Sequence, residues 1–414
     1  MTEADRQAVV IIGAGHAGTG LAAQLRQSGF TGPITMIGSE AHLPYHRPPL
    51  SKKFDGPEVE QLLRPREFYG DNGIDLHTSC TATAIRRDRR TVTLDDGSEL
   101  PYDMLVLATG STPRPLPGTP HGADSVLTLR SLDDAHRLAS SLANGGDLAI
   151  VGGGYVGMEV AAVARSKGVP VTVIEREDRI LARVASPELS SLLTEYHRAR
   201  GTTILTGRSV TELLAVGTLV TGLHLDDGSV IKCGTVLVGI GAVPDQGLAV
   251  DAGLVCDDGV ITNADGSTSD PVIFAIGDVA RRPVDGHDGL RRLESIPAAT
   301  EHAARAAAAI LGHAGHKHEV PWFWSDQFDL KLKIAGLSTD DARVITRRTA
   351  GRDAVSFFHV HPDGTVISVE TVNAPADFMA GKNLINQHTP VDVKALADPA
   401  VPLKSIIARS KVPV

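Results

Sequence analysis

Short, nearly unbroken apolar runs alternate with stretches of helical period through most of the chain. Ala8-Val9-Val10-Ile11-Ile12 leads through glycines into Thr19 to Ser28, which is apolar at helical spacing and closes on Gly29. Such runs, bounded by turn residues, read as strands buried on both faces of a parallel sheet. Pro33 to Gly38 predicts a second strand. From Asp75 to Pro113 the period shortens to two, with a hairpin signal at Asp96-Gly97. Met104 to Ala108 is again a buried-strand run, stopped by Gly110, Pro113 and Pro115. Asp133 to Leu142 predicts a short amphipathic helix, and Leu148 to Val151 and Val171 to Glu175 predict two more strands.

The pattern then repeats. Leu225-Asp226-Asp227-Gly228-Ser229 matches Leu94-Asp95-Asp96-Gly97-Ser98, and Val236 to Pro244 matches Leu105 to Pro113 in register. One supersecondary unit is therefore used twice. Asp270 to Ile276 predicts a returning strand that ends at Gly277-Asp278, followed by an alanine-rich helix from Ile296 to Leu311. Beyond Pro321 the chain changes character. Pro321-Trp322-Phe323-Trp324-Ser325-Asp326-Gln327 holds both tryptophans. Strands are expected at 332–334, 344–346, 355–360 and 366–372, with helices at 378–387 and 402–411, an α+β arrangement.

Each repeat carries a glycine hinge between strand and helix. Gly13-Ala14-Gly15-His16-Ala17-Gly18 is the first and Gly152-Gly153-Gly154-Tyr155-Val156-Gly157 the second. In that context G-x-G-x-x-G signals a dinucleotide site. The first glycine makes a tight turn, the second admits a pyrophosphate, and the third lets helix and strand pack, while the helix N-terminus faces the anion. An acid some twenty residues on binds ribose hydroxyls. Glu175 fills that position in the second repeat. Ser39 or Glu40 does so in the first, where Glu40 reads equally well as a solvated loop residue. His16 is expected to be a loop residue without a catalytic role.

Composition adds mostly exclusions. The 414 residues carry a net charge of −9, which argues against a nucleic-acid partner. No apolar run approaches a membrane span. No basic leader precedes the first strand after Met1-Thr2-Glu3, so a cytoplasmic location is expected. Cys80, Cys233 and Cys256 are widely separated, with no C-x-x-C to form a redox dithiol or zinc site. The histidines of Gly312-His313-Ala314-Gly315-His316-Lys317-His318 lack a second ligand cluster, and no metal is expected. No G-x-S-x-G, H-E-x-x-H or G-x-x-x-x-G-K occurs. Two dinucleotide units instead suit FAD in one and NAD(P)H in the other, with hydride passing between them.

Several segments together resemble the NADH-dependent ferredoxin reductases of oxygenase systems, within the two-dinucleotide flavoprotein family. They are Arg47-Pro48-Pro49-Leu50-Ser51-Lys52, Ala108-Thr109-Gly110, Gly152 to Glu159, Gly277-Asp278 and Pro321 to Gln327. The likeness runs from the first hinge to Val401-Pro402-Leu403-Lys404. It implies an α/β fold of two Rossmann-like domains plus a C-terminal α+β domain. The FAD-binding domain would comprise 1–113 and 246–321, interrupted by an NAD(H)-binding domain at 114–245, with the α+β domain at 322–414. FAD would lie on Gly13, Gly15, Ala17 and Gly18, with Ser39 or Glu40 at its ribose. Lys52 and Trp324 would lie by the flavin ring, with Ala82, Thr109, Gly110, Arg130, Asp278 and the backbone near Ile296 as further contacts. NADH would lie on Gly152, Gly154, Val156 and Gly157. Glu159 would orient the nicotinamide, Glu175 would bind the ribose, and Arg183 and Gly241 would line the same cleft. Lys52, Glu159 and Trp324 would support the flavin chemistry.

Glu175 predicts NADH over NADPH, because a carboxylate repels a 2′-phosphate; the adjacent Arg176 works the other way. Without a dithiol, electrons must leave the flavin directly. The implied acceptor is a small acidic [2Fe–2S] ferredoxin feeding a cytochrome P450 or dioxygenase. It would be steered by a basic pair such as Arg64 with Arg66, Arg291 with Arg292, or Lys331 with Lys333. Two other readings remain at this point. The same flavin chemistry could serve rubredoxin, a quinone or oxygen, or the chain could be a flavin-binding regulatory protein of the apoptosis-inducing-factor kind.

Overall fold

The computed structural model describes residues 7–119, 122–313, 319–348 and 353–409. Their contacts group into two compact units. The first comprises Met1–Arg47, Glu60–Thr112 and Ala242–Glu319; the second comprises Pro48–Val59, Pro113–Gly241 and Val320–Val414. The segment Pro48–Val59, which contains Lys52, thus groups with the second unit.

In the first unit, Val9–Ile12 is the middle of a five-stranded parallel sheet. Ile34–Ile37 and then Ile74–His77 lie on one side, with Met104–Leu107 and then Ile273–Ala275 on the other. The central strand is apolar throughout because both its faces are covered. Val9 and Ile11 pack with the helices His16–Gln27 and Ile296–Ile310. Val10 and Ile12 pack with the antiparallel strands Ala82–Arg86 and Thr91–Leu94, as the two-residue period of a strand requires. The strand order reverses at Val9–Ile12, so the first hinge lies at the switch point where such sheets bind ligands.

The second unit repeats this plan. Leu148–Val151 is central, flanked by Val171–Glu175 and Thr202–Thr206 on one side and by Thr235–Val238 and Val126–Leu127 on the other. The same unit holds a five-stranded antiparallel sheet in the order Trp322–Gln327, Leu330–Gly336, Val366–Val372, Val355–Val360, Arg343–Arg348. Helix Pro375–Gln387 packs on it through Phe378, Leu384 and Ile385.

Several boundaries differ from expectation. The first helix begins at His16, not Thr19, because Gly15 already serves as its N-cap. His16 is thus helical, and its ring meets that of His46 edge-on at 5.3 Å. The tryptophan segment is itself a strand. Met1-Thr2-Glu3, residues 314–318 of the histidine stretch and Ser410-Lys411 of the last expected helix lie outside the described residues.

Candidate functional site

The three glycines of each hinge do different work. Gly13 has φ +111° and Gly152 φ +105°, and a Cβ on either would run into backbone, at Ala108 and Gly239 respectively. Gly18 and Gly157 press on the carbonyls of Gly13 and Gly152. These four are required by the fold itself. A Cβ on Gly15 would meet nothing within 4 Å, and one on Gly154 only the Gly239 carbonyl at 4.0 Å. The middle glycine therefore faces space that the protein does not fill, which is where a pyrophosphate would sit. Gly15 and Gly154 also cap their helices without a side-chain hydrogen bond. By contrast, Ser131, Ser186 and Ser295 each accept an N–H at the start of their own helices. Neither hinge helix has a side-chain cap, so an anion can serve its N-terminus in place of one. Both hinges fit a dinucleotide.

The first unit also holds the other FAD candidates apart from Lys52, Arg130 and Trp324. Ala17 and Gly18 are buried in the hinge helix. Thr109 donates its hydroxyl to the Asp245 carbonyl at 2.7 Å, and Gly110 accepts the Asp245 N–H at 3.0 Å, fixing the turn after Met104–Leu107. Ala82 is buried on its strand, and Ile296 is the first residue of the alanine-rich helix. The returning strand Ile273–Ala275 delivers Gly277-Asp278 to the hinge, since a Cβ on Gly277 would come within 2.9 Å of that of Ala17. Ser111 donates to Asp278 at 3.4 Å.

The acids of the two repeats are not equivalent in register. Ile37 pairs with Ile12 as Ile174 pairs with Val151, so Gly38, not Glu40, corresponds to Glu175. A Cβ on Gly38 would lie 2.9 Å from that of Ala14, which leaves no room for a carboxylate there. The second hinge has Gly153 at the position of Ala14, and Glu175 uses that gap. Its two oxygens accept the N–H groups of Gly153 at 2.6 Å and Glu177 at 2.9 Å. Arg176 is exposed and pairs with Glu177 at 2.8 Å. Glu40 is held differently, accepting Arg47 at 2.7 Å and the Tyr45 hydroxyl at 2.5 Å. Burial opposes charge on Arg47, but Glu40, Tyr45 and Asp278 outweigh it and hold its pKa above the ordinary arginine value. Ser39 is exposed.

Sequence reasoning missed Arg47 and Tyr45 as partners of Glu40, and it missed His302. The N–H of Gly277 donates to His302 Nδ1 at 3.0 Å. Burial, with Arg282 and Arg305 nearby, holds this imidazole well below its ordinary pKa and therefore neutral.

Lys52, Arg130 and Trp324 belong to the second unit with the NAD candidates. Glu159, four residues into the second hinge helix and buried, pairs with Lys52 at 2.8 Å. Its carboxylate also accepts the hydroxyls of Ser51 and, at 2.6 Å, Ser325. Alternation along Trp322–Gln327 separates two faces. Phe323 stacks edge-on against Tyr155 at 4.9 Å, and Ser325 meets Glu159. On the other face the rings of Trp322 and Trp324 lie 5.7 Å apart, and Trp322 packs on Phe378. Val156 is exposed at the hinge. The exposed Arg183 approaches Gly241, whose added Cβ would lie 3.7 Å from its guanidinium. Arg130 precedes the Ser131 capping box, its N–H donating to Asp134.

Among the described residues no cluster suits a metal ion and no helix is long and apolar enough to cross a membrane. All three cysteines are free, and burial raises the Cys233 thiol to about 11. Of the basic pairs, Arg292 is engaged by Asp258 and Glu294 and Lys331 by Asp326. Arg64 and Arg66 are both exposed.

Residues 7–303 match the pyridine nucleotide-disulphide oxidoreductase family, which binds FAD and NAD(P)H, and residues 322–407 match the reductase C-terminal family. The chain is 44% identical to a probable ferredoxin reductase of Castellaniella defragrans, over 96% of this chain and 98% of that one. It is 40% identical to putidaredoxin reductase of Pseudomonas putida, over 97% of each. It also superposes on the reductase in a crystal structure of the covalent putidaredoxin reductase–putidaredoxin complex. There the TM-score is 0.94 at 39% identity, covering 98% of this chain and 99% of that one. With both hinges built for dinucleotides and no cysteine pair beside them, the chain belongs to the pyridine nucleotide-disulphide oxidoreductase family, among the ferredoxin reductases of oxygenase systems.

Proposed function

We propose that the protein is an FAD-dependent NADH:ferredoxin reductase serving a cytochrome P450 or a ring-hydroxylating dioxygenase. The observation that carries this reading is the near-full-length likeness to a reductase solved in covalent complex with putidaredoxin. Bound FAD would supply two-electron oxidation of a dihydronicotinamide coupled to release of single electrons.

The chain's own residues bind and orient. We assign FAD to a domain of 1–113 and 246–321 and NADH to 114–245, with 322–414 as a separate α+β domain. Gly15 and Ala17 with Gly18 present amides to the FAD pyrophosphate. Glu40, clamped by Arg47 and Tyr45, takes the ribose, and Asp278 takes the ribityl chain. Thr109, Gly110, Ala82, Arg130 and the backbone near Ile296 complete the contacts. Gly154, Val156 and Gly157 receive the NADH pyrophosphate, with Arg183 and Gly241 alongside. Glu159, fixed by Lys52, orients the carboxamide, and Trp324 shields the flavin. Glu175 is locked by two backbone N–H groups and Arg176 is drawn to Glu177, an arrangement that favours ribose hydroxyls over a 2′-phosphate. We place the protein in the cytoplasm, where NADH and small ferredoxins are available.

The test is to identify the flavin released on denaturation and to compare NADH with NADPH in ferredoxin-dependent cytochrome c reduction. FAD, a preference for NADH and dependence on added ferredoxin are expected. Equal rates without ferredoxin, or a preference for NADPH, would count against this reading.

A further inference from the structure

The motif Trp324-Ser325-Asp326-Gln327 has polar residues where a strand packed on a helix would normally be apolar. Ser325 and Gln327 are fully buried, as are His197 on helix Pro187–Ala199 and, nearly so, Glu159. Burying so many polar side chains is costly unless each is paired. They form one chain. Ser325 Oγ lies 2.6 Å from Glu159 Oε1, Gln327 Nε2 lies 3.2 Å from Ser325 Oγ, and His197 Nε2 lies 3.0 Å from Gln327 Oε1.

The proton positions follow in order. A carboxylate only accepts, so Ser325 must donate to Glu159. The serine oxygen then accepts from the Gln327 amide N–H. The Gln327 carbonyl in turn accepts from His197 Nε2–H. His197 is therefore the Nε2–H tautomer, and its Nδ1 is bare, buried and without a partner among the described residues. Every donor points toward Glu159. The chain ties together a helix of the second nucleotide fold, the tryptophan strand and the second hinge helix.

We infer that His197, Gln327 and Ser325 are positioning residues that hold the Glu159 carboxylate in one rotamer for the nicotinamide. This rests on the reading that Glu159 orients the nicotinamide. Lys52 and Ser51 approach the same carboxylate from the segment Pro48–Val59, so removing the chain leaves Glu159 paired on that side but without its tether to the tryptophan strand. Misplacement on that scale slows a reaction without abolishing binding.

The test uses FAD-loaded protein and single-turnover flavin bleaching by NADH, with NAD+ affinity measured separately. Ser325→Ala should slow bleaching by about tenfold while changing NAD+ affinity by less than about threefold. Ser325→Thr, which keeps the hydroxyl, should restore the rate. Gln327→Met should slow it as well, and should shift the ¹⁵N resonances of the His197 imidazole away from an Nε2–H tautomer fixed by a hydrogen bond. In a Glu159→Gln background, Ser325→Ala should add nothing further. If Ser325→Thr is as slow as Ser325→Ala, or if Ser325→Ala keeps its full effect beside Glu159→Gln, the chain does not act through Glu159 and the inference is overturned. If Glu159→Gln alone bleaches at the wild-type rate, the underlying reading of Glu159 fails instead, and the inference falls with it.

Discussion

Acid should loosen the second unit through one imidazole. His197 is completely buried, and that burial, reinforced by Arg200 and only partly offset by the Gln327 hydrogen bond, pushes its pKa down from 6.5 to about 4. The folded value lies below the unfolded one. Below about pH 6.5 the unfolded chain therefore binds the extra proton while the native chain refuses it, and stability falls with pH until the folded value is reached. Between pH 7 and pH 5 the gap between those two values removes about 2 kcal/mol. Both tryptophans of the chain, Trp322 and Trp324, lie on the strand that carries Gln327, so tryptophan fluorescence during urea unfolding reports this unit. His197→Gln keeps an N–H donor for Gln327 and does not titrate. Wild type should lose about 2 kcal/mol more than His197→Gln between pH 7 and pH 5. Equal pH dependence in the two proteins would refute the assignment of a neutral, buried imidazole.

Four other changes have defined outcomes. Gly15 has φ −80°, open to any residue, and faces empty space, so Gly15→Ala should fold normally yet emerge from gel filtration without FAD. Gly13→Ala should instead destabilise the fold by about 3 kcal/mol or more, because it meets both a forbidden φ and the Ala108 backbone; thermal melts of the two variants separate these cases. Glu175→Ala should narrow the kcat/KM preference for NADH over NADPH by about tenfold, the worth of one partly exposed like-charge contact. His302 is neutral and accepts the Gly277 N–H, with Arg282 and Arg305 beside it, both paired to Glu301. Its folded pKa is depressed, so falling pH below about 6.5 favours states in which it is released and protonated. Wild type should shed FAD in acid more readily than His302→Gln, read as a rise in free-flavin fluorescence.

What was legible in the sequence was what depends on local order. The hinges are contiguous, and each glycine answers to a contact within its own strand–turn–helix unit. The repeated strands were readable because both faces of a parallel sheet are covered, which leaves unbroken apolar runs such as Val9 to Ile12. What stayed hidden depends on distant partners. Trp322–Gln327 did not read as a strand because its inward face carries Ser325 and Gln327, so hydropathy does not alternate there. Nothing near His302 announces that it will accept an N–H from Gly277, and nothing near Lys52 announces that its segment groups with Glu159. The acid of the first repeat fell beyond the strand end because Ala14 fills the gap that Gly153 leaves open for Glu175. That exchange is visible only in pairing register.

Above all, this chain splits the electron pair of NADH between one-electron carriers. The most direct test is an anaerobic titration of the FAD-loaded protein and excess oxidised [2Fe–2S] ferredoxin with NADH, following NADH and ferredoxin absorbance together. Each NADH consumed should bleach two ferredoxins, with no turnover when either FAD or ferredoxin is left out. NADH consumption that leaves every ferredoxin of a broad panel oxidised would contradict it.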